Sequence, residues 1–445
     1  MELQCGFEDS LITMIFGVGA AVAAFPPVMD LCVSFLGRKG AVIAGGAIFC
    51  LGSGLQALAC NMTMMLMGRV IAGFSVGLLS GNAPVYTSEI APPKLRGALV
   101  TGFQFAITAA WLSLKFAKAV DVVLGHCHDD CFDMFACRII LHNSMPQSGV
   151  FCKVGIMLAF LLALVLEDVE KPYGGWIVPG LLLVFGGMVM PGSPQYLVAQ
   201  GKPNEALKML LKLRSQDVRV ELAQILQEHE AESATHTSWG EFLSGDNLKL
   251  LGIGVSIQLL QQLCGMNAFM YDGPLIFNKL FGSEHAGRLF TLVSGVVNIF
   301  ATIPGLFLVD RYGRTLLMKW SAIGMMICSA VLASVGDVCF QDEESSCGDW
   351  AKWTATVAIC GFILNFAYGW GGMAWVYCAE MFPQKHRTKG VAATTDANWV
   401  GNILIAFLPP IMFANWGFNT FWLFVGTNCL CFFCAVSLPE TKEGY

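Results

Sequence analysis

The sequence predicts an all-α membrane protein of two repeated helical bundles joined by a cytoplasmic bridge. Three observations lead there: a lipid-like composition, apolar blocks of bilayer length, and two matching charged motifs far apart in the chain. Of 445 residues, 55% are hydrophobic and only 13% are charged, and the mean hydropathy is +0.62. A soluble domain carries about 25% charged residues, so most of this chain belongs in lipid.

Apolar blocks occupy roughly 11–36, 40–60, 64–88, 98–118, 175–191, 248–270, 288–309, 315–336, 351–379, 390–412 and 418–438. Most approach the ~20 residues that cross a bilayer as a helix, and none alternates as a barrel strand would. About eleven membrane helices follow, of which the short, glycine-rich block at 175–191 is the least secure span. The formal charge is −6, but its placement matters more than its sum. With the loops after 36, 88, 191, 309 and 380 and the C-terminus in the cytoplasm, most Lys and Arg fall on that side, as the positive-inside rule requires. No basic tract points to nucleic acid, and no nucleophile–base pair or nucleotide loop points to an enzyme. No cofactor is implied. Most of the 17 cysteines sit in apolar blocks, where a thiol acts as a small hydrophobe. Cys339 and Cys347, and Cys127, Cys131, Cys137 and Cys152, fall in outward loops where disulfides fit an oxidising face.

The repeat is visible in "YTSEIAPPKLRG" (Tyr86–Gly97) and "YCAEMFPQKHRTKG" (Tyr377–Gly390). Each ends a helix with Glu, then Pro, then Arg, so Glu89 precedes Arg96 by the same interval as Glu380 precedes Arg387. Upstream, "FLGRKG" pairs with "VDRYGRTLL", each a tight turn between helices. The chain thus divides into a bundle at 1–192, a bridge at 193–247 and a bundle at 248–445. In the bridge, Glu205, Leu207, Leu210, Leu211 and Leu213 suit an amphipathic surface helix. The positive-inside rule explains the cations but not two Glu at equal spacing from two Arg. An inner charge network of Arg38, Glu89, Arg96, Asp310, Arg314, Glu380 and Arg387 is therefore expected to hold the two bundles together at that end.

One helix carries an unusual load. "SIQLLQQLCGMNAFMYDGP" places Gln258, Gln261, Gln262 and Asn267 among Leu, Ile and Met, and a buried carboxamide without a partner costs a few kcal/mol. A carboxamide both donates and accepts, as a sugar hydroxyl does, and carries no charge to leave in lipid. Gly265 and then Gly273–Pro274 are expected to interrupt this helix. Broken helices at mid-membrane are where carriers place substrate and gates.

"GRVIAGFSVGLLSGNAPVYTSEIAPPKLRGAL", "QQLCGMN", "DRYGR", "CAEMFPQKHRTKG" and the final "PETK" are similar to motifs of the sugar porter family of the major facilitator superfamily. The resemblance covers nearly all of the chain except about 119–173. "GFQFAIT" and "FAYGWGGMAW" most resemble the hexose–proton symporter branch of plants, algae and fungi. It implies the superfamily's two-bundle fold and alternating access about a central sugar site. It also assigns sugar contacts to Gln104, Gln261, Gln262, Asn267, Asn298 and Trp375, with Asn398 and Asn402 closing the pocket.

The chain departs from that pattern in several places. It opens at what resembles the family's second helix, so the first of the usual twelve, which carries the coupling acid in symporters, is expected to be missing. Arg69, that acid's neighbour, remains. Asp272 and Asp30 are the membrane-level carboxylates left, and Asp272 is the coupling candidate. The stretch 126–173 is foreign to the family. Its His126, Cys127, His128 and Cys131 admit a metal reading, but a disulfide-tied or poorly ordered outer loop is favoured. "PGSPQYL" lacks the family's acid and base after the sixth helix. Ser34 stands where relatives carry an acid, with Asp30 one turn away. Asn61 forms a sequon in a turn too tight for glycosylation.

The expected function is monosaccharide transport, most readily of a hexose, by a monomer in the plasma membrane with its C-terminus cytoplasmic. Protons are possible partners in a full-length form; as written, the chain is expected to move sugar passively or not at all. The alternatives are a pentose or cyclitol carrier, a non-transporting sugar sensor and an inactive truncated transporter.

Overall fold

The computed structural model describes residues 2–91, 97, 99–102, 177–213, 218–233, 239–282, 284–339 and 348–440. The first bundle holds α1 (Glu2–Ala24), α2 (Pro26–Ala57), α3 (Met62–Ile90) and α4 (Ile177–Val189). Short helices α5 (Pro194–Ala199), α6 (Pro203–Leu213), α7 (Arg219–Ser233) and α8 (Trp239–Phe242) form the bridge. The second bundle runs through α9 (Gly245–Leu263), α10 (Met266–Phe281), α11 (Glu284–Tyr312), α12 (Arg314–Cys339), α13 (Asp349–Tyr368), α14 (Trp370–Met381), α15 (Arg387–Trp416) and α16 (Thr420–Ser437). Among the described residues, seven helical stretches are long and apolar enough to cross a membrane, with shorter apolar helices at Leu11–Ala24 and Pro179–Val189. Every predicted apolar block that falls on described residues is helical. The block at 98–118 lies mostly outside them, as do Gln104, Arg96, and the 119–173 stretch with its histidines and cysteines.

Local chemistry sets the breaks. Pro26 and Pro27 supply no N–H, so α1 ends and α2 restarts at their first turn. Gly265, with φ 102, separates α9 from α10. The expected second interruption at Gly273–Pro274 does not occur, because α10 runs unbroken from Met266 to Phe281. A proline inside a helix removes one main-chain hydrogen bond, and here the helix carries through it. Asn61 caps α3 by accepting the Met64 N–H at 2.8 Å. Cys339 is disulfide-bonded, whereas Cys264 between α9 and α10, and Cys378 and Cys431 inside helices, are free and buried.

The sequence repeat returns as geometry. α2 reverses at Gly37 (φ 71), and α11 gives way to α12 at Gly313 (φ 92). This left-handed region costs other residues about 1–2 kcal/mol. A Cβ at Gly37 would also lie 2.7 Å from the Tyr196 ring, and one at Gly313 would lie 2.7 Å from the Glu440 carboxylate. Each turn delivers an arginine to the glutamate of its own bundle. Arg38 meets Glu89 at 3.1 Å; Arg314 grips Glu380 with two bonds, 2.8 and 3.1 Å. Three residues before each glutamate a tyrosine donates to a proline carbonyl, Tyr86 to Pro191 at 2.6 Å and Tyr377 to Pro439 at 2.9 Å.

Beyond those prolines the halves differ. Glu440 accepts the N–H groups of Arg314 and Thr315 at 2.9 and 3.0 Å, a carboxylate on the positive end of α12. After Pro191 comes Gly192, and there Ser193 Oγ donates to Glu89 at 2.5 Å instead.

In the bridge, α6 buries Ala206, Leu210 and Leu213, while Leu211 stays 57% exposed, so its apolar face is narrower than the sequence implies. The bridge is fastened at α8. Phe242 is buried against the His386 ring, with centroids 5.7 Å apart, and Glu241 accepts from Lys385 at 2.8 Å.

Two outcomes follow from these contacts. Gly313→Ala should cost about 1–2 kcal/mol of stability, read as a lower melting temperature of the detergent-solubilised protein. Burial pushes the His386 imidazole below its usual value, with the Glu241 carboxylate acting the other way. A lowered value means that docking of α8 is fully present above the free imidazole value of about 6.5 and is lost as pH falls below it. Proteolysis of the bridge beside Phe242 should therefore accelerate on acidification, and His386→Phe should remove most of that pH dependence.

Candidate functional site

The carboxamides of α9 do not wait alone. α15 approaches α9 so closely that a Cβ at Gly401 would sit 2.9 Å from Gln262 Cβ, which sets Asn398 and Asn402 astride Gln262. Gln262 Nε2 donates to Asn398 Oδ1 at 2.8 Å, and its Oε1 accepts from Asn267 of α10 and from Asn402 at 3.5 Å. Asn398 Nδ2 has Gln258 Oε1 and Gln261 Oε1 each at 2.6 Å. Gln261 Nε2 donates to the Gly371 carbonyl of α14 at 3.0 Å.

Six carboxamides, Gln258, Gln261, Gln262, Asn267, Asn398 and Asn402, thus form one network across α9, α10, α14 and α15. Trp375 lies one helical turn beyond Gly371, on the same face of α14, and is 7% exposed. Asn298 is brought to a buried position on α11 but not into the bonded cluster. Among the described residues its Oδ1 has no partner, and neither does Gln258 Nε2. The network thus holds an unspent donor and Asn298 an unspent acceptor outside it, each expensive to leave unmet.

Sequence reasoning passed over two members. Tyr271 hydroxyl accepts from Asn402 Nδ2 at 3.2 Å; its position one turn after Asn267 was the available signal. The Gly371 carbonyl had none, since any residue carries one. Chemically, the cluster presents neutral donors and acceptors in a dry setting, suited to exchanging its own hydrogen bonds for those of a polyol. Each exchange is close to neutral, so a ligand can be held and released.

At the charged end, two of the expected pairs, Arg38–Glu89 and Arg314–Glu380, lie within their own bundles, while Arg96 lies outside the described residues. Other contacts join the bundles. Arg38 Nη2 donates to Thr388 Oγ1 at 2.8 Å, directly after Arg387 opens α15. The backbone at Gly97 lies against Asp310 and Arg314, whose own charges stand 3.7 Å apart. Val85 of the first bundle packs with Phe382 and Val391 of the second. This end is closed. Of the coupling candidates, Arg69 lies on α3 and Asp272 on α10, the latter's side chain outside the described set.

The sequence profile of the Sugar (and other) transporter family matches residues 6–133 and 144–445. The chain belongs to this family. Sugar transport protein MST3 of Oryza sativa subsp. japonica is 30% identical over 99% of this chain and 78% of its own length. The galactose-proton symporter of Escherichia coli is 29% identical over 97% and 82%. The proton:xylose symporter XylE bound to 6-bromo-6-deoxy-D-glucose superposes with a TM-score of 0.75 at 21% identity, over 99% of this chain and 88% of that one. The inward open form of XylE from E. coli gives 0.65, also at 21% identity, over 98% and 87%. The sugar transporter described here thus has the major facilitator superfamily fold and is an integral membrane protein.

Two substitutions test the transporter's geometry. Thr388→Val removes the Arg38 bond between bundles while sparing both Arg–Glu pairs. It should raise labelling, by a membrane-impermeant thiol reagent applied from the charged end, of a cysteine placed beside Trp375. Gln261→Ala strips partners from Asn398 and Gly371, and sugar affinity should fall about ten- to a hundred-fold, for ~1–3 kcal/mol of lost hydrogen bonding. Binding isotherms on the purified protein measure this, with membrane abundance unchanged as the control.

Proposed function

We propose that this transporter carries a monosaccharide, most readily a hexose, by alternating access across the plasma membrane, with its charged end and C-terminus cytoplasmic. The observation that carries the reading is the carboxamide network joining α9, α10, α14 and α15 around Gln262. Its groups are neutral, so a polyol rather than an ion is the natural guest. Among the described residues, Gln258 Nε2 and Asn298 Oδ1 are left to donate and accept. Trp375 offers an aromatic face for the C–H side of a sugar ring, and Gln104, by the family resemblance, completes the wall from the first bundle. The closed charged end implies that sugar reaches the cluster from the opposite side in this conformation. The chain needs no second copy for this, so it works as a monomer.

The proposal is tested by expressing the chain in yeast lacking hexose carriers and measuring uptake of labelled glucose, galactose, xylose and inositol. Saturable glucose uptake, competed by the other hexoses, is expected. Uptake of xylose or inositol alone would reassign the cargo, and no uptake of any of the four would overturn transport as its function.

A further inference from the structure

Beside Asp30 and Asp272, a third carboxylate, Asp396, lies inside a membrane helix. Its place on α15 is fixed by its neighbours at helical spacing. Ala392, four residues before, clusters with Ala23 and Met29 of the first bundle. Trp399, three residues after, donates its indole N–H to Ser80 Oγ of α3 at 2.9 Å and meets the Phe16 ring of α1, with centroids 6.1 Å apart. Ile403, seven residues after, lies 2.8 Å from where a Cβ at Gly17 of α1 would be. Residues at these intervals share one face of a helix, so Asp396 belongs to the face of α15 that meets the first bundle.

That seam is apolar. The stretch of α1 from Leu11 to Ala24 contains no ionisable residue. Among the described residues packed against α15, the charges are engaged elsewhere or sit near helix ends. Glu89 is held by Arg38, Glu380 by Arg314, Lys249 by Asp246 and Lys385 by Glu241. Asp30 and Lys39 on α2, the latter bonded to the Met188 carbonyl, Arg69 on α3, His386 before α15, and Arg387 and Lys389 on its first turn are the others, while the side chains of Glu2, Glu8 and Asp9 on α1 and of Asp272 and Lys279 on α10 lie outside the described set. Among the described residues, the half-buried Asp396 carboxylate has no hydrogen-bond or ion-pair partner.

We propose that Asp396 is a proton-binding site of this transporter, neutral when the two bundles close on it and ionised when the seam admits water. The physical reason is that a carboxylate taken into an apolar seam without a countercharge is strongly disfavoured, whereas the carboxylic acid is an ordinary polar group there. Bundles that rock against each other at α1 and α15 change the hydration of this one side chain in each cycle. Proton uptake then becomes linked to bundle movement, and the carrier is proton-coupled through its second bundle. This replaces the expectation of passive transport. It rests on the sugar-carrier reading for its consequence but not for its chemistry, and the test separates the two.

The full chain, its Asp396→Asn and its Asp396→Glu variants are compared in hexose-carrier-deficient yeast and after purification. Three measurements are made: initial sugar uptake in acidic and alkaline medium, exchange of labelled for unlabelled sugar in vesicles with no imposed proton gradient, and labelling by dicyclohexylcarbodiimide, which adds to protonated carboxyls in apolar surroundings. The unaltered chain should take up sugar faster in acid and should be labelled on the peptide containing Asp396, less so as pH rises. Asp396→Asn should lose both the pH dependence and that label while retaining exchange, and Asp396→Glu should keep all three. A wild-type pH profile in Asp396→Asn, or no carbodiimide adduct on Asp396, overturns the proposal. If no form moves sugar, the carrier reading falls, and the labelling alone decides whether Asp396 takes a proton.

Discussion

A polar side chain held inside a lipid-embedded helix must be met by another polar group, and this condition organises the transporter. Gln258, Gln261 and Gln262 could be tolerated on α9 only if neighbouring helices brought partners to the same depth. α15 does so with Asn398 and Asn402, α10 with Asn267 and Tyr271, and α14 with a bare carbonyl at Gly371. The close approach at Gly401 exists in service of this meeting. Because the partners are neutral amides, each bond is worth only about 0.5–1.5 kcal/mol net. The same network can therefore tie four helices together and still reopen for a guest.

At the charged end the requirement is met differently. Buried guanidiniums and carboxylates must be paired, since leaving one partner alone costs about 3–5 kcal/mol. The fold keeps these strong pairs inside each bundle, where they persist whichever way the bundles tilt. Between bundles, among the described residues, a charge-to-hydroxyl bond joins Arg38 to Thr388, with apolar contacts at Val85, Phe382 and Val391. The two bundles are not equal in this respect. Glu440 caps the turn at Gly313, while Gly192 leaves its counterpart without a carboxylate and Ser193 turns to Glu89.

Much of the architecture was legible because it is written in local pattern. Apolar length gave the helices, the repeated Gly-Arg turns gave the two bundles, and each turn proved to be a glycine at positive φ followed by the arginine of an ion pair. The carboxamides were identifiable as a site because nothing in lipid rewards them singly. The reading failed where it used a local rule alone. Gly273–Pro274 looked like a break, but α10 runs through it and absorbs one missing hydrogen bond. The equal Glu–Arg spacing records the duplication, and the geometry adds that Glu89 and Glu380 each hold the turn arginine of their own bundle, Arg38 and Arg314.

Sequence by itself determined which residues live in lipid, where the chain turns, and that a cluster of neutral hydrogen-bonding groups is buried midway, since these depend on periodicity, composition and charge placement within a few turns. Only the tertiary structure decided who meets whom. That Gln262 is the hub, that Thr388 meets Arg38 across the bundles, and that Asp396 lies in the seam against α1 all depend on contacts between residues far apart in the chain. Helix periodicity fixes the direction of a side chain relative to its own axis. The rotation of that axis against its neighbours is set by packing, and packing is a property of the whole.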